Sequence, residues 1–242
     1  MIHILTDSGC DLPQNVIDAL AITVIPLQIT FEDGTVARDG IDVDGDTLYA
    51  KMQSCKRLPT TSQPSPEGFM RAYMQAKLDG DEVIAVLLSS QLSGTYQCAQ
   101  LAAELAEFED LHLVDSENLS LALGLLVQLA ARLRDEGKTA AEIVAILEHA
   151  KQHLHVFAVV DNLDYLRKGG RLHPSVALVG GLFGVKPIIT VTGGKVLLGG
   201  KARGLAGVYL TLFQKIEEAG GICTTEPYYG IYTLSERELA PI

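Results

Sequence analysis

The sequence has no apolar run long enough to cross a bilayer, which takes about 20 residues. Its richest stretch, Leu119–Leu133, is interrupted by Ser120, Gln128 and Arg132. The N-terminus, Met1-Ile-His-Ile-Leu-Thr-Asp7, lacks a basic n-region and turns polar at once, so a secretory signal peptide is not expected. Basic charge is scarce: 19 Lys plus Arg stand against 30 Asp plus Glu, a formal net charge of −11. A diffuse acidic surface argues against nucleic acid, whose binders need a basic stripe, and against docking on anionic lipid headgroups. The four cysteines, Cys10, Cys55, Cys98 and Cys223, lie far apart without a C-x-x-C pair. That is the pattern of a reduced, cytoplasmic chain. Also missing are a Walker loop, a G-x-G-x-x-G turn, a G-x-S-x-G elbow, internal repeats and low-complexity linkers. A nucleotide-cradling loop and a serine-hydrolase elbow are therefore not expected.

What is present is a globular chain of 242 residues, 48% hydrophobic and 20% charged. Its mean hydropathy of +0.22 leaves apolar area to line a pocket as well as a core. Short apolar runs alternate with helical patterns over the first two-thirds. Strands are expected at Ile2–Leu5, Ile22–Ile29 (broken by Pro26), Val83–Leu88 and Leu111–Val114. Glu32-Asp-Gly34 supplies hairpin chemistry. Helices are expected up to Leu20, over Asp46–Ser54, Glu67–Lys77, Thr95–Glu107 and Leu119–Glu136, and from a Thr139 cap to His153. This alternation predicts an open, mostly parallel α/β sheet over residues 1–155. Beyond that, a strand at Val156–Val160, a short helix at Leu163–Lys168 and a hairpin of Pro187–Val191 with Lys195–Leu198 predict a smaller α+β domain over 156–242.

Hydroxyl side chains cluster in three segments at expected helix starts: Thr6-Asp7-Ser8-Gly9, Thr60-Thr61-Ser62-Gln63-Pro64-Ser65-Pro66, and Ser89-Ser90-Gln91-Leu92-Ser93-Gly94-Thr95. Helix capping alone favours the same residues. Ligands of open α/β sheets also sit outside the carboxyl ends of strands, where helix N-termini favour an anion. Hydroxyls with one helix end suit a single carboxylate better than a polyphosphate. Basic residues beside glycine, in Arg167-Lys-Gly-Gly-Arg171 and Lys201-Ala-Arg203, could reach an anionic group or serve only as solvated loop charges. The spacing His149-x3-His153-x-His155 lacks the acid of H-E-x-x-H and also suits a helix C-terminal dipole, so no metal is expected. The string Asp39, Asp42, Asp44, Asp46 lacks the Gly and bidentate Glu of an EF-hand and reads as a solvated turn.

These segments resemble the DegV family, whose members bind fatty acids. The resemblance rests on Thr6-Asp-Ser-Gly9 with Asp11-Leu-Pro13, Thr61-Ser-Gln-Pro-Ser65, Ser93-Gly-Thr95, Asn162-Leu-Asp-Tyr-Leu-Arg-Lys-Gly-Gly-Arg171, Lys186-Pro-Ile-Ile189 and Lys201-Ala-Arg203. They follow the family's order and cover nearly the whole chain. The resemblance implies two α/β domains with a long-chain acyl group buried between them. It implies that Thr61 and Ser93, with Ser62 and Gly94, bind the fatty acid carboxylate, and that Asp39, Arg171 and Arg203 form a polar network around it. It also implies a separate ATP-dependent fatty acid kinase subunit in bacteria, which phosphorylates the bound acid to acyl phosphate for phospholipid synthesis. The same fold occurs in dihydroxyacetone kinase subunits. No cofactor other than the lipid ligand is implied. Family members usually continue to a His-Thr-Gly-Pro-Gly segment; this chain ends at Glu238-Leu-Ala-Pro-Ile242, so the resemblance leaves two expectations, a C-terminally shortened second domain or a tail that has diverged.

The apolar run Val176–Val185 contains Gly180, Gly181 and Gly184, which leave room for a ligand. Val179, Gly180, Gly181, Leu182 and Phe183 are expected to wall the acyl chain, although plain core packing explains the same run. The leading expectation is a non-enzymatic lipid carrier. The rivals are a self-sufficient phosphotransferase or hydrolase using Ser93 as nucleophile, and a family member acting through protein contacts alone.

Overall fold

The computed structural model describes residues 1–161, 163–172, 184–225, 227, 229 and 230. Its centre is a four-stranded parallel sheet of order β2-β1-β6-β7, formed by β1 (Ile2–Asp7), β2 (Ile22–Ile25), β6 (Glu82–Leu87) and β7 (Leu111–Asp115). Val83 to Leu87 are all buried, which is why this strand reads as an unbroken apolar run. Side-chain alternation divides it between two cores. Ile4, Ile84, Val86 and Val114 pack under α5 (Ser120–Asp135) and α6 (Ala140–Ala150). Leu5, Val83, Ala85 and Leu87 pack under α3 (Pro66–Asp79) and α4 (Thr95–Ala106).

Local signals set the helix ends. Ser65 accepts from the Glu67 N–H with Pro66 at the first helical position, and Gly80 closes α3 in the left-handed region. Thr139 and Glu142 form a reciprocal capping box on α6. The helix stops at Ala150; Lys151–His153 continue as a 3-10 turn, so the expected helix to His153 changes type in its last residues. The short α1 (Gln14–Ala19) follows Pro13.

The expected run Ile22–Ile29 divides at Pro26 into strands of two different sheets. Proline has no N–H to donate to a ladder, and the chain leaves the parallel sheet there. β3 (Gln28–Thr30) pairs antiparallel with β4 (Val36–Arg38) across the Glu32–Gly34 turn, and with β5 (Thr60–Ser62). The helix α2 (Gly45–Ser54), capped by Asp44, lies between β4 and β5 in sequence.

From Phe157 onward a second antiparallel sheet forms, of order β10-β9-β8: β8 (Phe157–Val159), β9 (Val185–Thr192) and β10 (Lys195–Arg203). The short α7 (Asp164–Lys168) lies between β8 and β9 in sequence. The helix α8 (Gly204–Glu218) packs Val208 against Ile188 and Ala202. Sequence reasoning did not find α8, which opens on two glycines within four residues and has no side-chain cap.

The β9–β10 turn joins this sheet to the parallel one. Ser89, fully buried, donates its hydroxyl to the Gly194 carbonyl at 2.8 Å. Gly194 has φ +74°, and a Cβ there would lie 2.5 Å from Ser89 Oγ. Backbone conformation and space therefore both require glycine. We expect Gly194→Ala to lower the unfolding free energy by about 1–3 kcal/mol. Urea denaturation measures this, and an unchanged midpoint would contradict the tight docking of the turn.

Candidate functional site

β1 and β6 are neighbours, and their carboxyl ends open into the first and third hydroxyl segments. Asp7 ties the two loops together: one oxygen accepts from the Gly9 N–H at 2.9 Å, the other from the Leu88 N–H at 2.8 Å. Burial dominates over these two donors and pushes its carboxyl up to about 6. Asp11 is also raised by burial, against a hydrogen bond from Ser120 at 2.6 Å. Ser8 accepts from the Leu27 N–H at 3.0 Å and donates to Asp39 at 2.7 Å. Asp39 thus belongs to the Ser8 turn, where its charge adds to the field on Asp7 and Asp11.

The third segment leads into α4. Leu92 and Ser93 turn back onto the Ser89 carbonyl at 2.9 and 3.1 Å. The Ser93 hydroxyl meets the buried Thr95 hydroxyl at 2.8 Å and accepts from the Thr95 N–H at 3.3 Å. Gly94 supplies no side-chain cap, and Cys98 is the residue whose N–H closes on the Gly94 carbonyl. The opening turn of α4 so keeps the positive end of its dipole beside Ser93.

The second segment arrives on β5. Thr60, Thr61 and Ser62 are exposed, and Thr61 pairs with Ile29. Gln63, the next residue, lies against Gly94: a Cβ on Gly94 would fall 2.0 Å from Gln63 Oε1. A second tie lies one residue further, where the Cys98 thiol donates to the Pro64 carbonyl at 3.3 Å. Thr61 and Ser62 thereby belong to the segment that Gln63 and Pro64 tie to Gly94 and Cys98 of the α4 start.

Arg171 reaches this loop from the later part of the chain, donating through Nε to the Leu92 carbonyl at 3.1 Å and through a terminal nitrogen to the Gly169 carbonyl at 2.6 Å. Arg203 lies at the end of β10, paired with Val185, and its side chain passes near Gly184. Among the described residues, then, Arg171 joins the Ser93 loop, Asp39 joins the Ser8 turn, and Arg203 adjoins the start of β9. The expected wall residues Val179, Gly180, Gly181, Leu182 and Phe183 lie outside the described residues; Gly184 and Val185 are the described part of that run.

The remaining candidate clusters disperse. Asp42 is held by Arg38 through bonds of 2.8 Å, which lower its carboxyl to about 2, and Asp44 caps α2. The His149 and His153 rings stand 4.8 Å apart, whereas His155 stacks on Phe157. Among the described residues no three His, Cys, Asp or Glu side chains gather as metal ligands, and no helix is long and apolar enough to cross a membrane. A crevice of about 210 Å³ lies between Met52, Cys55 and Leu58 on one side and Asp164, Tyr165 and Lys168 on the other. It borders the segments that carry Thr61 and Arg171. Sequence reasoning missed Gln63 and Ser89 as the residues that bring the segments together. Both lie in the hydroxyl segments, but nothing in their spacing marks a contact.

A model of the DegV family, described there as one of uncharacterised proteins, matches residues 1–241. The chain belongs to the DegV family. A DegV domain-containing protein of Deinococcus radiodurans is 41% identical over 204 residues, covering 84% of this chain and 72% of its own length. Among solved DegV structures, one from Thermus thermophilus, described by its fatty acid binding, superposes with a TM-score of 0.82 at 34% identity, over 90% of this chain and 77% of that one. A stearic acid-binding protein of Eubacterium ventriosum gives 0.80 at 28% identity, over 90% and 78%. The DegV fold is thus the mixed α/β arrangement described above, a parallel sheet accompanied by antiparallel ones.

Proposed function

We propose that this chain binds a long-chain fatty acid between its N-terminal α/β part and its C-terminal α+β part, and presents the carboxylate to a separate kinase subunit. The observation that supports the reading is the contact of Gln63 with Gly94, which ties the segment bearing Thr61 and Ser62 to the loop bearing Ser93 at the start of α4. Thr61 and Ser93 donate to the carboxylate oxygens, Ser62 and the Gly94 N–H complete the cradle, and Arg171 supplies the neighbouring positive charge. Asp39, held by Ser8, and Arg203, at the end of β10, are the further polar groups we assign to this headgroup. The kinase subunit supplies ATP; a carboxylate oxygen attacks the γ-phosphorus, ADP leaves, and the acyl phosphate remains. The fatty-acid-binding relatives in Thermus thermophilus and Eubacterium ventriosum support the ligand class.

A carrier is favoured over a self-sufficient enzyme because the hydroxyl partner of Ser93 is Thr95, which cannot take up a proton as a general base near neutral pH. Burial also pushes the Cys10 thiol up to about 11 and raises that of Cys98, away from nucleophilic thiolate. Organic extraction of the purified protein followed by mass spectrometry is expected to release a long-chain fatty acid. The protein alone is expected to hydrolyse neither ATP nor acyl esters. A ligand-free protein that also fails to bind added oleate, or turnover abolished by Ser93→Ala, would overturn the carrier reading.

A further inference from the structure

The open edge of the parallel sheet carries a second surface, independent of the headgroup site. β7 is the last strand in the order β2-β1-β6-β7. Hydrogen bonds in a parallel ladder engage alternate residues of each strand. Here Val83 N–H donates to the Asp110 carbonyl and Ser116 N–H donates to the Leu87 carbonyl, so the even-numbered positions face β6. Leu111, Leu113 and Asp115 therefore turn their backbone N–H and C=O groups outward. The Asp115 carbonyl is taken by Lys151 Nζ at 3.0 Å, which closes that end. Among the described residues nothing pairs with the outward groups of Leu111 and Leu113, which leaves a short open template.

A groove of about 460 Å³ runs along this template. Its floor is apolar, built from Ala103, Phe108, Leu111 and Leu113. Its rim carries the exposed carboxylates of Glu104, Glu107 and Glu109. Lys77 stands nearby, but its ammonium is engaged with the Ala106 and Glu107 backbone carbonyls at 3.1 and 2.6 Å and so complements the α4 C-terminus.

We propose that this groove is a docking site for an extended, Arg- or Lys-bearing segment of a partner protein, which adds to β7 as a further strand. Outward N–H and C=O groups give such a segment its main-chain bonds, the apolar floor takes alternate side chains, and the three carboxylates select basic ones. A second copy of this chain fits poorly, because it would bring the same three carboxylates and a net charge of −11 against themselves. Charged residues also serve to blunt sheet edges against association, and the test separates that role from docking.

The probe is a fluorescein-labelled nonapeptide alternating Arg and Val, compared with one alternating Glu and Val, read by anisotropy on the wild-type chain. The Arg peptide is expected to bind saturably and to weaken as salt rises, while the Glu peptide does not bind. Leu113→Pro removes an outward N–H yet no bond to β6, and is expected to weaken binding by about tenfold. Glu104→Gln, Glu107→Gln and Glu109→Gln together should do the same and flatten the salt dependence. Should Leu113→Pro unfold, the charge variant and slowed amide exchange at Leu111 and Leu113 in the wild-type complex carry the test. No saturable binding of the Arg peptide, equal binding of both peptides, affinity untouched by the charge variant, or a self-association lost in Leu113→Pro would each overturn the proposal.

Discussion

Thr61→Val and Ser93→Ala are each expected to weaken fatty-acid binding by about 10- to 150-fold, the loss of one hydrogen bond to a charged group. The two variants differ in what else they disturb. Thr61 is exposed on β5 and makes no side-chain hydrogen bond among the described residues, and valine suits a strand. Its melting temperature without ligand should be unchanged, so a fall in affinity reports the carboxylate contact alone. Ser93 also partners the buried Thr95 hydroxyl and its N–H, so Ser93→Ala should cost about 1 kcal/mol of stability as well. Isothermal titration with oleate beside thermal unfolding of the ligand-free forms separates the effects. Intact affinity in Thr61→Val would remove that residue from the site; lost stability with intact affinity in Ser93→Ala would leave the serine as a helix cap.

The second large effect concerns Asp7. Its folded pKa of about 6 lies above the ordinary 3.8 because the carboxylate is buried. The fold therefore holds the proton more tightly than the unfolded chain does. The resulting stabilisation is complete below about pH 4 and is lost as pH rises through about 6, a span worth about 3 kcal/mol. Asp11 is shifted in the same direction, so the wild-type profile alone does not isolate Asp7. Asp7→Asn does: the difference in unfolding free energy between wild type and variant should fall by about 2 kcal/mol between pH 4 and pH 7. A difference independent of pH would mean that Asp7 titrates as an ordinary carboxylate.

Elements whose identity is written in local chemistry were legible from sequence. β6 is an apolar run because both its faces are buried, and α6 announces itself through Thr139 and Glu142. The β9–β10 hairpin follows from Gly193 and Gly194, both at positive φ. β5 was not legible, since Thr60–Ser62 is short, polar and exposed throughout, with no alternation to read. It is a strand only because β3 lies beside it. The hydroxyl segments were recognisable as site material, yet their assembly was not. Gln63 meets Gly94 and Ser89 meets Gly194 through contacts between distant parts of the chain, and no spacing rule encodes these. Arg171 was a candidate for its charge beside glycine; its actual partner, the Leu92 carbonyl, has no side-chain signature at all.

The central position of β1 has a consequence for how the chain is made. β1 pairs with β6, and its links to that region, Met1 and His3 with Asp81 and Asp7 with Leu88, join residues 78 to 81 positions apart. A loop of that length costs only about 1 kcal/mol more to close than one a quarter as long, so the native sheet loses little by it. Assembly speed is a different matter, because non-local parallel pairing is slow. During synthesis β1 has its sequence neighbour β2 for company, but one of its two edges waits until residues 82–87 leave the ribosome. Through that interval an apolar strand stands open to other chains. The interval ends when β6 emerges, and with it the period in which aggregation competes with folding.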